Sequence, residues 1–258
     1  VVTLIFFIVG ATIGSLHLPA WLALPNMGPI SSVSAIGWQT ALAIQLAVIG
    51  ALYLWVRRSE QRRCGDVLDI RAEDGPSMPF IDRLIFGPWP LLWGAIGIAV
   101  FALLTLLVAG HPWSVTFALG LWGAKISAAF GVDVANWTYW SSGYPAVALS
   151  RSVLEDTTSV MNFGVILGAL AAAAIAGRFA ASRPIPANAL ILAVIGGLML
   201  GYGARLAFGC NIGALLSGTT TGSLHGWLWL LAAFTGSWLG VYARVWFGLD
   251  APMEKKHG

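Results

Sequence analysis

Six stretches of the chain run almost without charge for about the length that crosses a bilayer as a helix, near residues 1–17, 36–56, 84–109, 160–181, 186–204 and 226–247. A hydrocarbon core of about 30 Å needs roughly 20 apolar residues in helical form, so each stretch predicts a membrane span. The pattern is less regular between 109 and 160. There "WSVTFALGLWGAKISAAF" (Trp113 to Phe130) is broken by glycines and carries Lys125, and "VDVANWTYWSSGYPAVALSRSVLEDTT" is mixed and aromatic, as a segment at the membrane surface would be.

Composition agrees. Of 258 residues 58% are hydrophobic and 10% charged, with 13 tryptophans, where a soluble domain has about a quarter charged. Mean hydropathy is +0.80. The expected fold class is therefore an all-α integral membrane protein, a polytopic helical bundle. The formal charge of +3 does not indicate nucleic acid, because the basic residues sit at the ends of apolar runs and form no basic face interleaved with aromatics. The first residues are apolar with no charged leading segment, which predicts a membrane helix and not a signal peptide. Cys64 and Cys210 lack the number and spacing of a disulfide framework or a metal site, and no catalytic residue, metal ligand or cofactor is assigned.

Basic loops orient such a bundle. "RRSEQRR" (Arg57 to Arg63) with Arg71 and Arg83, Arg178 with Arg183, and Arg244 with Lys255 and Lys256 predict three cytoplasmic sides, which places 18–35 and 110–159 outside and the C-terminus in the cytoplasm.

An internal repeat is visible. "LIFFIVGATIG" (Leu4 to Gly14) and "LLAAFTGSWLG" (Leu230 to Gly240) align Gly10 with Gly236 and Gly14 with Gly240, a small-xxx-small packing face in each. The second copy closes a half that begins near Leu84, so the counterpart of 84–229 is expected before Val1. The predicted organisation is two pseudo-symmetric halves with the first truncated: 1–56 as its remainder with two spans, 57–83 as a cytoplasmic linker, 84–250 as the second half with re-entrant segments near 110–128 and 205–224, and 251–258 as a cytoplasmic tail.

The candidate chemistry lies in "GARLAFGCNIGALLSGTTTGSLHGW" (Gly203 to Trp227), where an arginine, a cysteine, an asparagine, a histidine, hydroxyls and six glycines interrupt the apolar pattern. Too short to cross and bounded by two spans, it reads as a re-entrant loop with a half-helix, which is tolerated at membrane depth only when buried in protein or lining a polar cavity. Small residues recur four apart at Gly209, Gly213, Ser217 and Thr221 and, on the adjacent stripe, at Cys210, Ala214, Gly218 and Gly222. The N-terminus of a half-helix offers unpaired N–H groups and a partial positive charge, a place for an anion. Gly209, Cys210, Asn211, Ile212 and Gly213 are the candidates at that end, with Ser217 one turn on. "GHPWSVTFALGLWGAK" (Gly110 to Lys125) is the candidate matching break, and discontinuous segments in corresponding positions point to a transport site.

Alternatives remain open at each position. Cys210 is either a small buried hydrophobe or a soft S–H donor to a sulfur-bearing ligand. Lys125 either snorkels to the interface or faces the site. Arg205 either braces a helix end through carbonyls or touches a ligand, and Ser217, Thr219, Thr220 and Thr221 either bond local backbone or serve the site. His17, His111 and His225 read as surface residues.

Residues Gly196 to Gly240, "GGLMLGYGARLAFGCNIGALLSGTTTGSLHGWLWLLAAFTGSWLG", resemble the YeeE/YedE family of bacterial membrane proteins, and "HPWSVTFALGLWGAK" and "DTTSVMNFGVILGA" (Asp156 to Ala169) resemble it too. The resemblance implies an hourglass-like bundle closed at its centre by re-entrant loops, thiosulfate uptake across the inner membrane through cysteine S–H groups, Cys210 as the loop cysteine of the second half, and a small cytoplasmic sulfur-carrier protein as partner. Rival readings are another sulfur or selenium cargo, an intramembrane sulfur-transfer enzyme with Cys210 as a persulfide, and a non-transporting membrane subunit.

Overall fold

The computed structural model describes residues 1–65, 79, 82, 89, 91–177 and 186–248. Regular structure among them is helical: α1 (Val2–Leu22), α2 (Ser32–Ile36), α3 (Trp38–Cys64), α4 (Leu91–Ala109), α5 (Thr116–Ala129), α6 (Gly143–Ser150), α7 (Thr157–Ile175), α8 (Ala187–Leu206), α9 (Ser217–Thr220) and α10 (Leu224–Trp246). Among the described residues six helices are long and apolar enough to cross a membrane. They fall where the uncharged runs predicted them, and the N-terminal run is one of them. α3 outlasts its apolar run: Arg57 to Cys64 stay helical, because Arg, Gln and Glu are good helix formers, and the helix stops only at Gly65 with φ +75°. Of the expected linker, nearly all of 66–83 lies outside the described residues, as do Arg178, Arg183 and the tail.

α1 packs most extensively on α8, and then on α5. The crossing is made by glycines. A Cβ on Gly10 would overlap the Leu198 carbonyl oxygen, and one on Gly201 would overlap that of Phe7; one on Gly197 would lie 2.6 Å from the Thr3 oxygen and one on Gly14 2.8 Å from the Arg205 Cβ. Contact numbers rise together along both helices, so α1 and α8 run parallel. Lipid tails are as apolar as leucine, so such helices associate through close backbone packing and not through hydrophobic drive. Of the two small-xxx-small faces, Gly10 and Gly14 pack on α8, while among the described residues a Cβ on Gly236 or Gly240 of α10 would meet nothing within 4 Å.

The loop after α1 is stitched to the turn before α10. Ser32 donates from its amide to the Gly222 carbonyl at 2.8 Å and from its hydroxyl at 2.7 Å, and the Leu224 amide donates to Ile30 at 3.1 Å.

Residues 131–156, mixed in the sequence, fold into a cap of short turns over α1 and α5. Leu121, Ala124, Val134, Trp140 and Ala148 form its apolar centre. The Trp140 indole donates to the Ser15 hydroxyl of α1 at 2.9 Å, both fully buried. The cap ends at Asp156, which begins α7 by accepting the Ser159 amide at 2.8 Å and the Thr158 and Ser159 hydroxyls at 2.7 and 2.6 Å, while Tyr144 donates to its other oxygen at 2.7 Å. Burial alone would raise this carboxyl, but the four donors outweigh it and hold it below the usual range. Burial first, then the hydrogen bond to Asp156 and its charge, push the Tyr144 phenol up to about 12.

Because the folded value of Asp156 is depressed, its contribution is full above the unfolded value near 3.9 and is lost as pH falls through the folded value. Asp156→Ala should cost roughly 1–3 kcal/mol at neutral pH. In thermal unfolding, the gap between parent and variant should narrow only below about pH 4. A gap that closes near neutrality, or no gap at all, would contradict this account of the cap.

Candidate functional site

Two helix breaks meet in the structure. The first separates α4 from α5: the chain leaves α4 at Gly110, with φ +73°, and His111 to Val115 are non-helical. The second follows α8. Phe208 there takes φ +51°, the left-handed value unusual for a residue with a side chain. The Gly209 amide returns to the Ala204 carbonyl at 2.9 Å, so the chain doubles back on the last turn of α8 before Cys210, which is extended at φ −114°.

From Asn211 a helical run continues to Thr220. Its first six residues, Asn211–Leu216, are π-wound, and then α9 completes it. The Cys210 carbonyl accepts from Ala214 at 2.8 Å and Leu215 at 3.3 Å. The amides of Asn211, Ile212 and Gly213 precede the first intrahelical bond, so Cys210 stands at a helix start with three donors after it. Cys210 is a half-buried free thiol. π-Turns inside helices occur frequently at functional sites.

The breaks touch at two places. The Ser217 hydroxyl donates to the Trp113 carbonyl at 2.9 Å, and a Cβ on Gly213 would lie 3.9 Å from the Ser114 hydroxyl. Ser217 thus bonds across 104 positions of sequence. Thr219, Thr220 and Thr221 instead bond carbonyls three or four residues earlier, the local reading of those hydroxyls.

The small residues have packing reasons as well. A Cβ on Gly209 would come 2.5 Å from the Ala214 nitrogen and 2.8 Å from the Gly213 carbonyl carbon, so this glycine permits the turn itself. On the second stripe, Gly218 lies against Gly226 of α10, whose own Cβ would come 3.0 Å from the Ala214 oxygen.

Lys125 is not brought to this junction. Nine residues along α5 from Thr116, or about 13 Å by helical rise, its ammonium donates to the carbonyls of Leu149 at 2.7 Å and Arg151 at 2.5 Å. It closes the C-terminus of α6, as a cation at a helix end does. Of the histidines, His17 meets the Tyr202 hydroxyl at 3.3 Å, and His111, which opens the first break, meets its neighbouring Pro112 carbonyl at 2.9 Å.

Sequence reasoning passed over two residues at the junction. Asn162 of α7 donates to the Val115 carbonyl at 3.0 Å, bracing the first break, and its own buried carbonyl oxygen has no protein partner. The Trp113 indole N–H is likewise buried and unpartnered. A lone amide inside the apolar run after Val160 was the available signal, since intramembrane polar residues are costly and mark polar paths.

Arg205 is the buried cation nearest in sequence to the second break. It is 7% exposed, its guanidinium carbon lies 3.7 Å above the Tyr139 ring centre, and its Nε and Nη2 have no hydrogen-bond partner. Neither donor reaches a helix-end carbonyl.

The sequence profile described as sulphur transport matches residues 1–239. The probable transporter YedE of Salmonella typhimurium is 36% identical over 133 residues, 52% of this chain and 32% of its own. That of Escherichia coli is 32% identical over 152 residues, 59% and 37% respectively. The thiosulfate transporter TsuA of Spirochaeta thermophila is 43% identical over 75 residues, 29% of this chain and 23% of its own. The matched stretches thus span between 23% and 37% of the length of these curated relatives. No solved structure gives a significant match. With six membrane-length helices among its described residues and a family profile over nearly its whole length, the chain belongs to the sulphur transport family, whose relatives here are named as transporters or probable transporters.

Proposed function

We propose that this protein carries a small sulfur-containing anion, thiosulfate in the first instance, inward across the bacterial inner membrane, past the junction of the two helix breaks. The observation that supports this most is the contact of Ser217 with Trp113, which joins the interrupted segments, with Cys210 at the start of the helical run that leads to Ser217. In this reading 110–128 and 205–224 are re-entrant elements of a pseudo-symmetric bundle with α1 and α10 as corresponding helices. The amides of Asn211, Ile212 and Gly213 face the anionic charge, and the Cys210 thiol meets the soft sulfur end. Gly209 shapes the turn, Ser217 ties the breaks together, and Lys125 serves indirectly by fixing the cap. A small cytoplasmic sulfur-carrier protein would receive the cargo.

Expression in a bacterium unable to take up thiosulfate should restore growth on thiosulfate as sole sulfur source. Absence of rescue by a membrane-inserted protein would overturn the reading.

Sidedness follows from the basic residues, and the stitching of the loop after α1 to the turn before α10 is consistent with both lying outside. A cysteine placed at Arg57 or Arg62 should resist a membrane-impermeant thiol reagent added to intact cells and react once the membrane is opened. Labelling in intact cells would invert the topology.

A further inference from the structure

We infer that Arg205 is an oxyanion-binding group of the transport path, with its Nε–Nη2 edge holding two oxygens of the cargo and Tyr139 fixing the plane of the guanidinium. This rests on the reading of the protein as an anion carrier.

Three observations lead there. The side chain is more than nine-tenths buried, between Gly14 of α1, whose Cβ would lie 2.8 Å from the Arg205 Cβ, and the Tyr139 ring at 3.7 Å. No carboxylate among the described residues is paired with it. Its two unpartnered donors are Nε and Nη2, which lie on one edge of the planar group.

Each observation has a physical consequence. A buried charge is held only with a partner, because its desolvation is otherwise uncompensated. Cation–π contact with Tyr139 offsets part of that loss and leaves the in-plane donors free. The Nε and Nη2 hydrogens project side by side, the two-pronged geometry that fits a pair of oxygens on a carboxylate, phosphate or sulfo group. Lysine, a point charge, would supply attraction without that register.

Arg205 lies in the last turn of α8, and the Phe208 amide donates back to its carbonyl at 3.3 Å as the chain turns toward Cys210. A thiosulfate ion has a hard oxygen end and a soft sulfur end. Arg205 suits the first, and Cys210 five residues on suits the second. Arg205 therefore favours tetrahedral oxyanions as a class, sulfate included, whereas the thiol distinguishes thiosulfate among them.

The test compares parent, Arg205→Gln and Arg205→Lys in thermal unfolding with and without thiosulfate or sulfate, and in thiosulfate uptake. Removing an uncompensated buried charge should leave Arg205→Gln as stable as the parent or more so without anion. It should abolish the anion-induced rise in melting temperature and raise the KM for uptake by about ten-fold or more. Arg205→Lys should keep a reduced shift and an intermediate KM. If Arg205→Gln is destabilised or fails to fold, Arg205 is a structural brace and the inference falls. If it folds with unchanged KM and anion shift, the inference falls while transport stands. If the parent shows an Arg205-dependent shift but no uptake, the binding group stands and the transport reading falls.

Discussion

Gly201→Leu is expected to prevent the membrane core from assembling. A Cβ at this position already overlaps the Phe7 carbonyl oxygen and comes within 2.8 Å of the Phe7 carbonyl carbon and the Ala11 nitrogen, all backbone of α1. No flexible side chain is there to give way, so α1 and α8 must separate, and with them the close contact that holds helices together where solvent supplies no hydrophobic drive. The loss should exceed about 3 kcal/mol, the upper range for overpacking. The protein would then fail to accumulate as a monodisperse species in detergent. Gly236→Leu is the control: among the described residues a Cβ there meets nothing within 4 Å, and the variant should behave like the parent. Equal accumulation of Gly201→Leu and Gly236→Leu would show that the α1–α8 crossing does not organise the fold.

Cys210→Ala is expected to nearly abolish thiosulfate uptake while leaving expression and folding near normal. The side chain is half-buried and its substitution removes a thiol without touching the α1–α8 crossing. A neutral hydrogen bond contributes on the order of 1 kcal/mol, and one to a charged acceptor roughly 1.5–3 kcal/mol, so losing it should slow uptake by about ten-fold or more if the thiol meets the anion. Cys210→Ser keeps size and hydrogen bonding but exchanges a soft donor for a harder one, and should retain only a small residual rate. Parental uptake by the alanine variant would reduce the thiol to packing and leave recognition to the helix start and Asn211.

The spans were legible because membrane crossing imposes a length and a lack of charge that few other structures share. The second break was legible for a related reason: glycine, cysteine, asparagine and hydroxyls have no ordinary place inside an apolar pattern. What could not be read was where long side chains end. Lys125 lies on α5, the helix that follows the first break, yet its ammonium reaches carbonyls of 149 and 151, whose position depends on how the cap folds back. Glycines misled differently. Gly10 and Gly236 carry the same local pattern, but among the described residues only the first faces a partner, because pattern gives a face its shape and not its neighbour. Gly209 stood among the candidates at the helix start, and a Cβ there would crowd Gly213 and Ala214 of the run that follows. Asn162 and Trp113, which border the junction, passed unnoticed: one polar atom in a span and one more tryptophan among 13 carry little local signal.

The central claim is that the junction of the two breaks passes an intact sulfur anion. Purified protein in proteoliposomes, supplied outside with thiosulfate labelled in its outer sulfur, tests it most directly when the internal product is identified. The account predicts saturable accumulation of unaltered thiosulfate that depends on Cys210. Label left on the protein as a persulfide with sulfite released, or no accumulation at all, would contradict it.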